Sequence, residues 1–189
     1  MTSEAIVQTA IDENLDVIAI TDHNEIGNVE VALDAAEGTD LLVIPGIELS
    51  TSQGHLLCYL PDLETLQAFY SSLRFVDRGT QNSRCQTGLS ECMTVAHELG
   101  GFAILAHVDA PKGFETEVPG NAPHKVDVLC HPGLLAVELK NAASTIAYSD
   151  QDPDPSRAAM GENSFWRESY FRMPIPWMRL GETLKVIPK

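Results

Sequence analysis

The sequence predicts an α/β fold in which short buried strands alternate with amphipathic helices. Apolar runs that are too short for helices recur through residues 15–139, and several of the segments between them have apolar residues at helical i, i+4 spacing. The strands are apolar on both faces, which is typical of a parallel sheet covered by helices. Two architectures fit this pattern, a βα barrel and an open doubly wound sheet.

The first half of the chain gives the clearest alternation. Residues 3–14 are predicted to be a helix, because Ile6/Ala10 and Val7/Ile11 are spaced to share one face. Residues 15–20 then form a strand, and residues 28–37 return to helical spacing with Asn28 as the cap. This opening helix leads directly into a strand and has no strand before it.

The second half continues the same alternation with longer interruptions. Glycine and proline mark most of the boundaries, as at Pro61 and at Gly100-Gly101. The predicted elements are strands at 41–44, 56–60, 102–106 and 134–139, helices from 62 and over 90–99, and loops at 75–88 and 108–125.

Composition and charge divide the chain into two parts, residues 1–149 as the α/β domain and residues 150–189 as an extension or arm. The boundary is the Asp-Pro-Asp-Pro stretch near residue 153. The formal net charge is -15, although residues 157–189 are net positive and rich in aromatic side chains. Such an acidic chain opposes non-specific contact with nucleic acid and anionic membranes. No membrane-spanning run or secretory signal is present, so a cytoplasmic location is expected.

Polar side chains follow three of the predicted strands at the point where each strand ends. His23 follows the first strand, Glu48 the second and His107 the fourth, while His55 opens the third. Because the carboxyl ends of parallel strands meet at one edge of a sheet, we expect these side chains to converge there.

Each of these residues also has a simpler interpretation. His23 could cap the following helix, Glu48 could be an exposed loop acid after a Pro-Gly turn, and His55 could be a half-buried strand residue. His107 is the strongest single candidate, because a polar ring at the end of a buried strand needs a partner. The shared placement at strand ends favours the cluster over any of its members.

Imidazole nitrogens together with a carboxylate suit zinc, manganese or iron. Asp22 is placed to accept the second ring N–H of a ligating histidine. Metal sites of this kind generate hydroxide at neutral pH and clamp phosphoryl oxygens, which predicts hydrolysis of a phosphate ester. Lys112, Lys140 and Asn141 lie at the same predicted edge and are candidate substrate-binding residues. A solvated loop position is the favoured interpretation of Lys112 and explains Lys140 and Asn141 equally well.

Four segments resemble, in order, successive motifs of the PHP (polymerase and histidinol phosphatase) superfamily, over about residues 3–141. They are Ile20-Thr21-Asp22-His23-Asn24, Pro45-Gly46-Ile47-Glu48-Leu49-Ser50, Gly54-His55-Leu56-Leu57 and Ala103-Ile104-Leu105-Ala106-His107. The stretch Val108-Asp109-Ala110-Pro111 and the Asp-Pro-Asp-Pro segment are most similar to PHP domains fused to an ATPase, which would make an ATPase domain or subunit a partner.

The resemblance implies a distorted seven-stranded TIM-like (β/α)7 barrel with two or three divalent transition metal ions. It implies that His23, Glu48, His55 and His107 are ligands, with Glu48 bridging two ions around the reactive water. Members of the superfamily hydrolyse phosphate mono- or diesters in substrates such as histidinol phosphate, nucleotides and nucleic-acid ends.

The sequence departs from the family pattern at both ends. It has six histidines, no two of them separated by one residue, so the His-x-His of the first family strand has no counterpart. The late Asp-x-His pair is also missing, since Ser149-Asp150-Gln151-Asp152 has an acid where histidine is expected. We therefore expect a fragment or degenerate copy that lacks the first and last barrel strands, with Met1 an internal methionine and fewer ions bound. Open sheet edges would then favour a homo-oligomer.

Three functions compete at this point. The first is a metal-dependent phosphoesterase whose missing ligands come from elsewhere, and the second is a degenerate PHP module with an interaction or regulatory role and little catalysis. A nucleotide-binding doubly wound domain is the third, and it is the weakest because no glycine-rich phosphate loop follows any strand.

Overall fold

The computed structural model describes residues 2–118, 120, 123–141, 143–162 and 184–186. The helices in these residues are α1 (Ser3–Asp12), α2 (Gly27–Ala36), α3 (Leu63–Ser72), α4 (Leu89–Glu98), α5 (Phe114–Glu117), α6 (Pro123–Leu129) and α7 (Pro155–Glu162). The strands are β1 (Val17–Ile20), β2 (Leu42–Thr51), β3 (Gly54–Tyr59), β4 (Phe75–Val76), β5 (Arg84–Cys85), β6 (Phe102–Leu105), β7 (Leu134–Val137) and β8 (Leu184–Val186).

The main sheet has six strands in the order β7-β6-β3-β2-β1-β8. Strands β1, β2, β6 and β7 run in one direction, and β3 and β8 run in the opposite direction. The sheet is therefore mixed, with two parallel and three antiparallel neighbouring pairs, and the prediction of a parallel sheet is wrong at β3. The physical reason is the short turn between β2 and β3, because so short a connection permits only an antiparallel hairpin.

The two faces of this sheet have different surroundings. On one face, residues such as Ile18, Val43 and Leu56 pack with apolar side chains of α1–α4 in the main hydrophobic core. On the other face lies a smaller cluster that contains strand residues and Ala106 but no helix residue among the described part of the chain: Ala19, Leu57, Tyr59 and Ala106, with Ile44, Phe102 and Ile104 partly buried. We refer to this second side as the inner face.

Strand β2 is longer than predicted and passes through Pro45-Gly46 without a turn. Pro45 pairs with Ile20 at the carboxyl end of β1. Gly46 lies against β3 so closely that a Cβ there would be 2.9 Å from Thr21 Cγ2 and 3.1 Å from Cys58 O. The Pro-Gly pair is thus a site of close strand packing, and the strand continues beyond it to Thr51.

Two predicted loops contain short elements. Residues 75–88 include the two-residue strands β4 and β5, which form a separate antiparallel pair, and residues 108–125 include α5 and the start of α6. The predicted arm begins with α7. Its residues 163–183 and 187–189, which carry most of the aromatic side chains, lie outside the described residues.

A buried ionic network attaches α7 to α6. Lys125, only 1% exposed, places Nζ 2.7 Å from Glu115 Oε2 and 2.8 Å from Asp154 Oδ2. Arg157 adds contacts of 3.1 Å to Glu115 Oε2 and 2.9 Å to Asp152 Oδ1. Residues 150–157 are therefore held by charge pairs against the segment that follows β6. Among the described residues, no helix is long and apolar enough to span a bilayer.

The contact between α4 and the start of β7 depends on a neutral histidine. The Gly133 N–H donates to His131 Nδ1 at 3.0 Å, so the ring proton is on Nε2, which lies 3.1 Å from Thr94 Oγ1. Burial, and to a smaller extent the charge of His97, lowers the pKa of His131. A second proton on the ring would face the Gly133 N–H and break this contact.

We predict a loss of stability in mild acid that comes from His131. Because the folded-state pKa is lowered, this stabilisation is complete above the unfolded value of roughly 6.5 and is lost as the pH falls through the folded value. In His131→Asn, the amide oxygen can still accept from Gly133 but cannot titrate. Urea unfolding should show a smaller loss of stability between neutral and mildly acidic pH in H131N than in the wild type, and equal losses would contradict this assignment.

Candidate metal centre

The β1–α2 turn and β2 are joined at the rim of the sheet by backbone hydrogen bonds. The Glu48 N–H donates to Asp22 O at 3.0 Å and the Asn24 N–H donates to Glu48 O at 2.9 Å, so His23 lies opposite Glu48 as a further parallel pair. Glu48 is 2% exposed within β2, so its interpretation as an exposed loop acid is wrong.

The reversal of β3 brings His55 to the same rim. Because β3 runs against β2 and β6, the amino end of β3 lies where those strands have their carboxyl ends. His55 pairs with Ser50 near the end of β2, and its carbonyl accepts from the Ala106 N–H at 3.0 Å, next to His107. The four sequence candidates, His23, Glu48, His55 and His107, are therefore brought to one place.

Three of these side chains form a compact triangle of donor atoms. His55 Nδ1 lies 3.2 Å from Glu48 Oε1 and 2.9 Å from His107 Nε2, and His107 Nε2 lies 3.7 Å from Glu48 Oε1. Two ligands bound to one ion at 2.0–2.1 Å are about 2.9 Å apart at a right angle and about 3.3 Å apart at the tetrahedral angle. The triangle therefore has the size of one face of a metal coordination shell.

His23 completes a second, wider group with two of the same residues. His23, Glu48 and His55 each offer a donor atom, and these atoms all lie within 4.8 Å of one another. The rings of His23 and His55 meet edge to face with centroids 5.2 Å apart, and His23 Nδ1 lies 3.4 Å from Ser50 Oγ. Glu48 belongs to both groups, and a carboxylate with two oxygens can bind two neighbouring ions, whereas a single imidazole nitrogen binds only one.

Asn24 is a buried residue at this rim that the sequence did not single out. It has a positive φ of 53° and is 3% exposed. Its side chain accepts from the Ser50 N–H and donates to Ser83 O, both at 2.9 Å. The Asn24 side chain thereby ties the turn that carries His23 to β2 and to the β4–β5 pair. Its sequence signal was modest, since asparagine is one of few residues that tolerate the left-handed region.

The carboxylate of Asp22 contacts helix α2. Its Oδ2 accepts from Asn28 Nδ2 at 2.8 Å. Asn28 lies in the first turn of α2. The N-cap of this helix is Ile26, so the prediction of Asn28 as the cap is wrong. The proposed role of Asp22 beside a ligating histidine stays a prediction.

The three candidate substrate-binding residues have exposed side chains. Lys112 lies in the loop after His107 with a positive φ of 65°. The backbone N–H groups of Lys140 and Asn141 donate to the Asp109 carboxylate at 2.7 and 3.0 Å, which fixes the loop after β7 against the loop after β6. Their contact with a substrate stays a prediction.

Tyr59, on the inner face, has a phenol whose pKa is affected by two carboxylates. Burial raises the pKa of the Tyr59 phenol, and the Glu138 and Glu48 carboxylates raise it further. Tyr59 is therefore a neutral phenol at neutral pH. It stacks on Phe102 with ring centroids 5.1 Å apart.

No protein-family model and no curated protein matches the sequence. Among solved structures, the chain is similar to an amidohydrolase from Chromobacterium violaceum with bound sulfate and no metal. The two are 15% identical with a TM-score of 0.52, over 73% of this chain and 71% of that one. It is also similar to a two-domain protein from Bacteroides vulgatus containing a predicted PHP-like metal-dependent phosphoesterase. These are 18% identical with a TM-score of 0.49, over 72% of this chain and 38% of that one.

At such low identity these likenesses concern the fold alone. Of the fold that the resemblance to the PHP superfamily implies, the α/β class is confirmed, with a central mixed sheet in which four of six strands share one direction. The chain spans 38% of the length of the Bacteroides vulgatus protein. Fusion to an ATPase stays a prediction.

Proposed function

We propose that this protein binds divalent transition metal ions through His23, Glu48, His55 and His107 and hydrolyses phosphate mono- or diesters. The observation that carries the proposal is the triangle of His55 Nδ1, Glu48 Oε1 and His107 Nε2, with sides of 2.9, 3.2 and 3.7 Å. Two imidazoles and one carboxylate are the donor set of many catalytic zinc sites, and manganese and iron accept the same ligands.

The residues fit such an ion in burial as well as in distance. Glu48 is 3% exposed at its side chain, and His55 and His107 are 18% and 16% exposed, so the donor atoms lie at the base of an open rim. A divalent ion held there would supply Lewis acidity and an activated water. In a chain of net charge -15, bound cations would also reverse the local sign of charge and allow a phosphate to approach.

The proposal also includes a second ion. The Glu48 carboxylate belongs to both donor groups, which supports two neighbouring positions that Glu48 would share, with His55 a ligand at only one of them. The tight triangle would be occupied first. The position beside His23 would need further ligands, supplied by sequence not present in this chain or by a partner.

We also propose that the sheet is part of a distorted (β/α)7 barrel. The support is that four strands share one direction, that helices cover one face, and that the cluster lies at the rim of the inner face. Three further features stay predictions: a cytoplasmic location, an ATPase partner and a homo-oligomer built through sheet edges.

Metal analysis combined with a turnover assay tests the function. Protein purified without chelator and dialysed against zinc or manganese should retain at least one equivalent of metal. It should hydrolyse a generic phosphomonoester or phosphodiester, such as p-nitrophenyl phosphate or bis-p-nitrophenyl phosphate, and chelation should abolish this activity. Bound metal without turnover on either substrate would favour the degenerate module with an interaction role, and no bound metal would reject the proposed site.

A further inference from the structure

Glu138 is a buried acid that is not one of the four candidate metal ligands. It follows the last residue of β7, Val137, and is 8% exposed. A carboxylate this deep in the protein needs hydrogen-bond donors, because burial without them is costly. Those donors identify what the residue does.

One such donor is in the segment that carries His107. The Glu138 side chain accepts from the His107 N–H, with Oε2 at 2.9 Å. The Glu138 main chain continues the pairing of β7 with β6, since its N–H donates to Leu105 O at 2.8 Å and its carbonyl accepts from the Val108 N–H at 2.9 Å. Glu138 therefore contacts the chain before, at and after His107.

His107 has a backbone conformation that needs such support. Its φ is 32°, close to the left-handed region that costs energy for residues other than glycine. The chain after it folds back closely, since a Cβ on Gly113 would overlap His107 O and would be 2.7 Å from Val108 C. The hydrogen bond from the His107 N–H to the Glu138 carboxylate stabilises this turn.

The same carboxylate oxygen also faces the ring of His107. Glu138 Oε2 lies 3.6 Å from His107 Nδ1, on one side of the ring, and Nε2 on the other side faces His55 Nδ1 and Glu48 Oε1. At 3.6 Å this contact is longer than a hydrogen bond, but the negative carboxylate attracts a ring proton and so favours the tautomer with the proton on Nδ1. That tautomer leaves the Nε2 lone pair directed at the donor triangle.

We infer that Glu138 is a positioning residue that sets the backbone, ring orientation and tautomer of His107 for metal binding. This inference rests on the proposed function only for its metal-binding consequence, because the orientation of His107 can be measured without metal. In metal proteins, removing a group that orients a ligand in this way lowers affinity by about 10- to 100-fold.

Histidine nitrogen NMR of the metal-free protein tests the inference first. At mildly alkaline pH, the wild type should show His107 protonated on Nδ1. In Glu138→Gln, the amide oxygen can occupy the position of Oε2, so the Nδ1 tautomer should be retained. Glu138→Leu fills a similar volume without an acceptor and should shift His107 towards the Nε2 tautomer. Glu98→Leu, at an exposed acid of α4, is the matched control and should leave His107 unchanged.

Zinc titration of the same variants gives the second readout. E138Q should bind zinc within about threefold of the wild type, and E138L about 10- to 100-fold more weakly. If E138L does not fold, Glu138→Asp takes its place, because it keeps the charge but withdraws the oxygen by one methylene. Glu138→Asp should shift His107 towards the Nε2 tautomer and weaken zinc binding, as E138L does.

An unchanged His107 tautomer in a folded E138L or E138D would overturn the inference, as would wild-type zinc affinity in that variant. A shift in E138Q as large as in E138L would also overturn it. If the wild type takes up no metal, the proposed function fails by itself, and the tautomer in the metal-free protein still decides the role of Glu138.

Discussion

Glu48→Gln is expected to remove the stabilisation that metal gives to the folded protein. A ligand at about 100 times its dissociation constant stabilises the fold by about 2.7 kcal/mol. For a domain of this size that corresponds to a rise in Tm of roughly 5–10 °C. The wild type should show this rise with zinc or manganese, and E48Q should show almost none. Hydrolysis of the test ester should fall by at least about 100-fold.

The expectation follows from the position of Glu48 in both donor groups. Its Oε1 belongs to the tight triangle, and it is also in the group that contains His23. Gln has nearly the same shape and retains one acceptor, so the Tm of the metal-free protein should change little. Thermal unfolding with and without metal separates these effects, with Glu98→Gln as the exposed control. A full metal-dependent rise in E48Q would show that the ion binds elsewhere.

Lys125→Met is expected to be strongly destabilising for a different reason. Removing one partner of a buried charge pair costs about 3–5 kcal/mol, because the remaining charges stay buried without compensation. Here Lys125 is 1% exposed and its loss leaves both Glu115 and Asp154 without their closest cation. Arg157 remains 3.1 Å from Glu115 and 3.6 Å from Asp154, so the loss should lie near the lower end of this range. The free energy of unfolding measured in urea should fall by that amount, and Tm by roughly 10 °C.

Arg74→Met is the matched control for this experiment. Arg74 pairs with Glu91 at 3.0 Å, but the two side chains are 61% and 53% exposed. Exposed ion pairs contribute little to stability, so R74M should unfold at nearly the wild-type urea concentration. Equal losses of unfolding free energy in K125M and R74M would show that burial does not strengthen the Lys125 network.

Acid titration provides a second signature of the network. Burial alone would raise the pKa of Asp154, but the hydrogen bonds from Lys125 and the Ser156 N–H, with the charges of Lys125 and Arg157, lower it. Its stabilisation is therefore present above the unfolded value of about 3.9 and is lost as the pH falls through the lower folded value. The wild type should lose this contribution in strong acid, whereas K125M should lose less.

The positions of polar residues after apolar runs predicted which residues form the cluster better than they predicted its geometry. His23 and His107 follow β1 and β6 at one rim, as a sheet with parallel strands requires. His55 reaches the same rim because β3 is reversed, which the apolar pattern could not reveal since a buried strand has the same pattern in either direction. Glu48 lies inside β2 because Pro45-Gly46 continues the strand, although the same pair commonly ends one.

Other features depend on contacts between distant residues and left little trace in the sequence. Lys125 had no helical or strand pattern around it, and its partners Glu115 and Asp154 meet it only in the folded chain. Glu138 follows the apolar residues of β7, yet its bond to the His107 N–H depends on the pairing of β7 with β6. Sequence periodicity identifies elements, and the partners of buried polar groups follow only from their arrangement in space.

Anomalous diffraction from crystals soaked in manganese or zinc tests the central claim most directly. A peak is expected at about 2.0–2.3 Å from His55 Nδ1, Glu48 Oε1 and His107 Nε2, with any second ion on the side of Glu48 that faces His23. Ordered side chains at saturating metal with no peak between them, or with His107 turned away from Glu48, would contradict this claim.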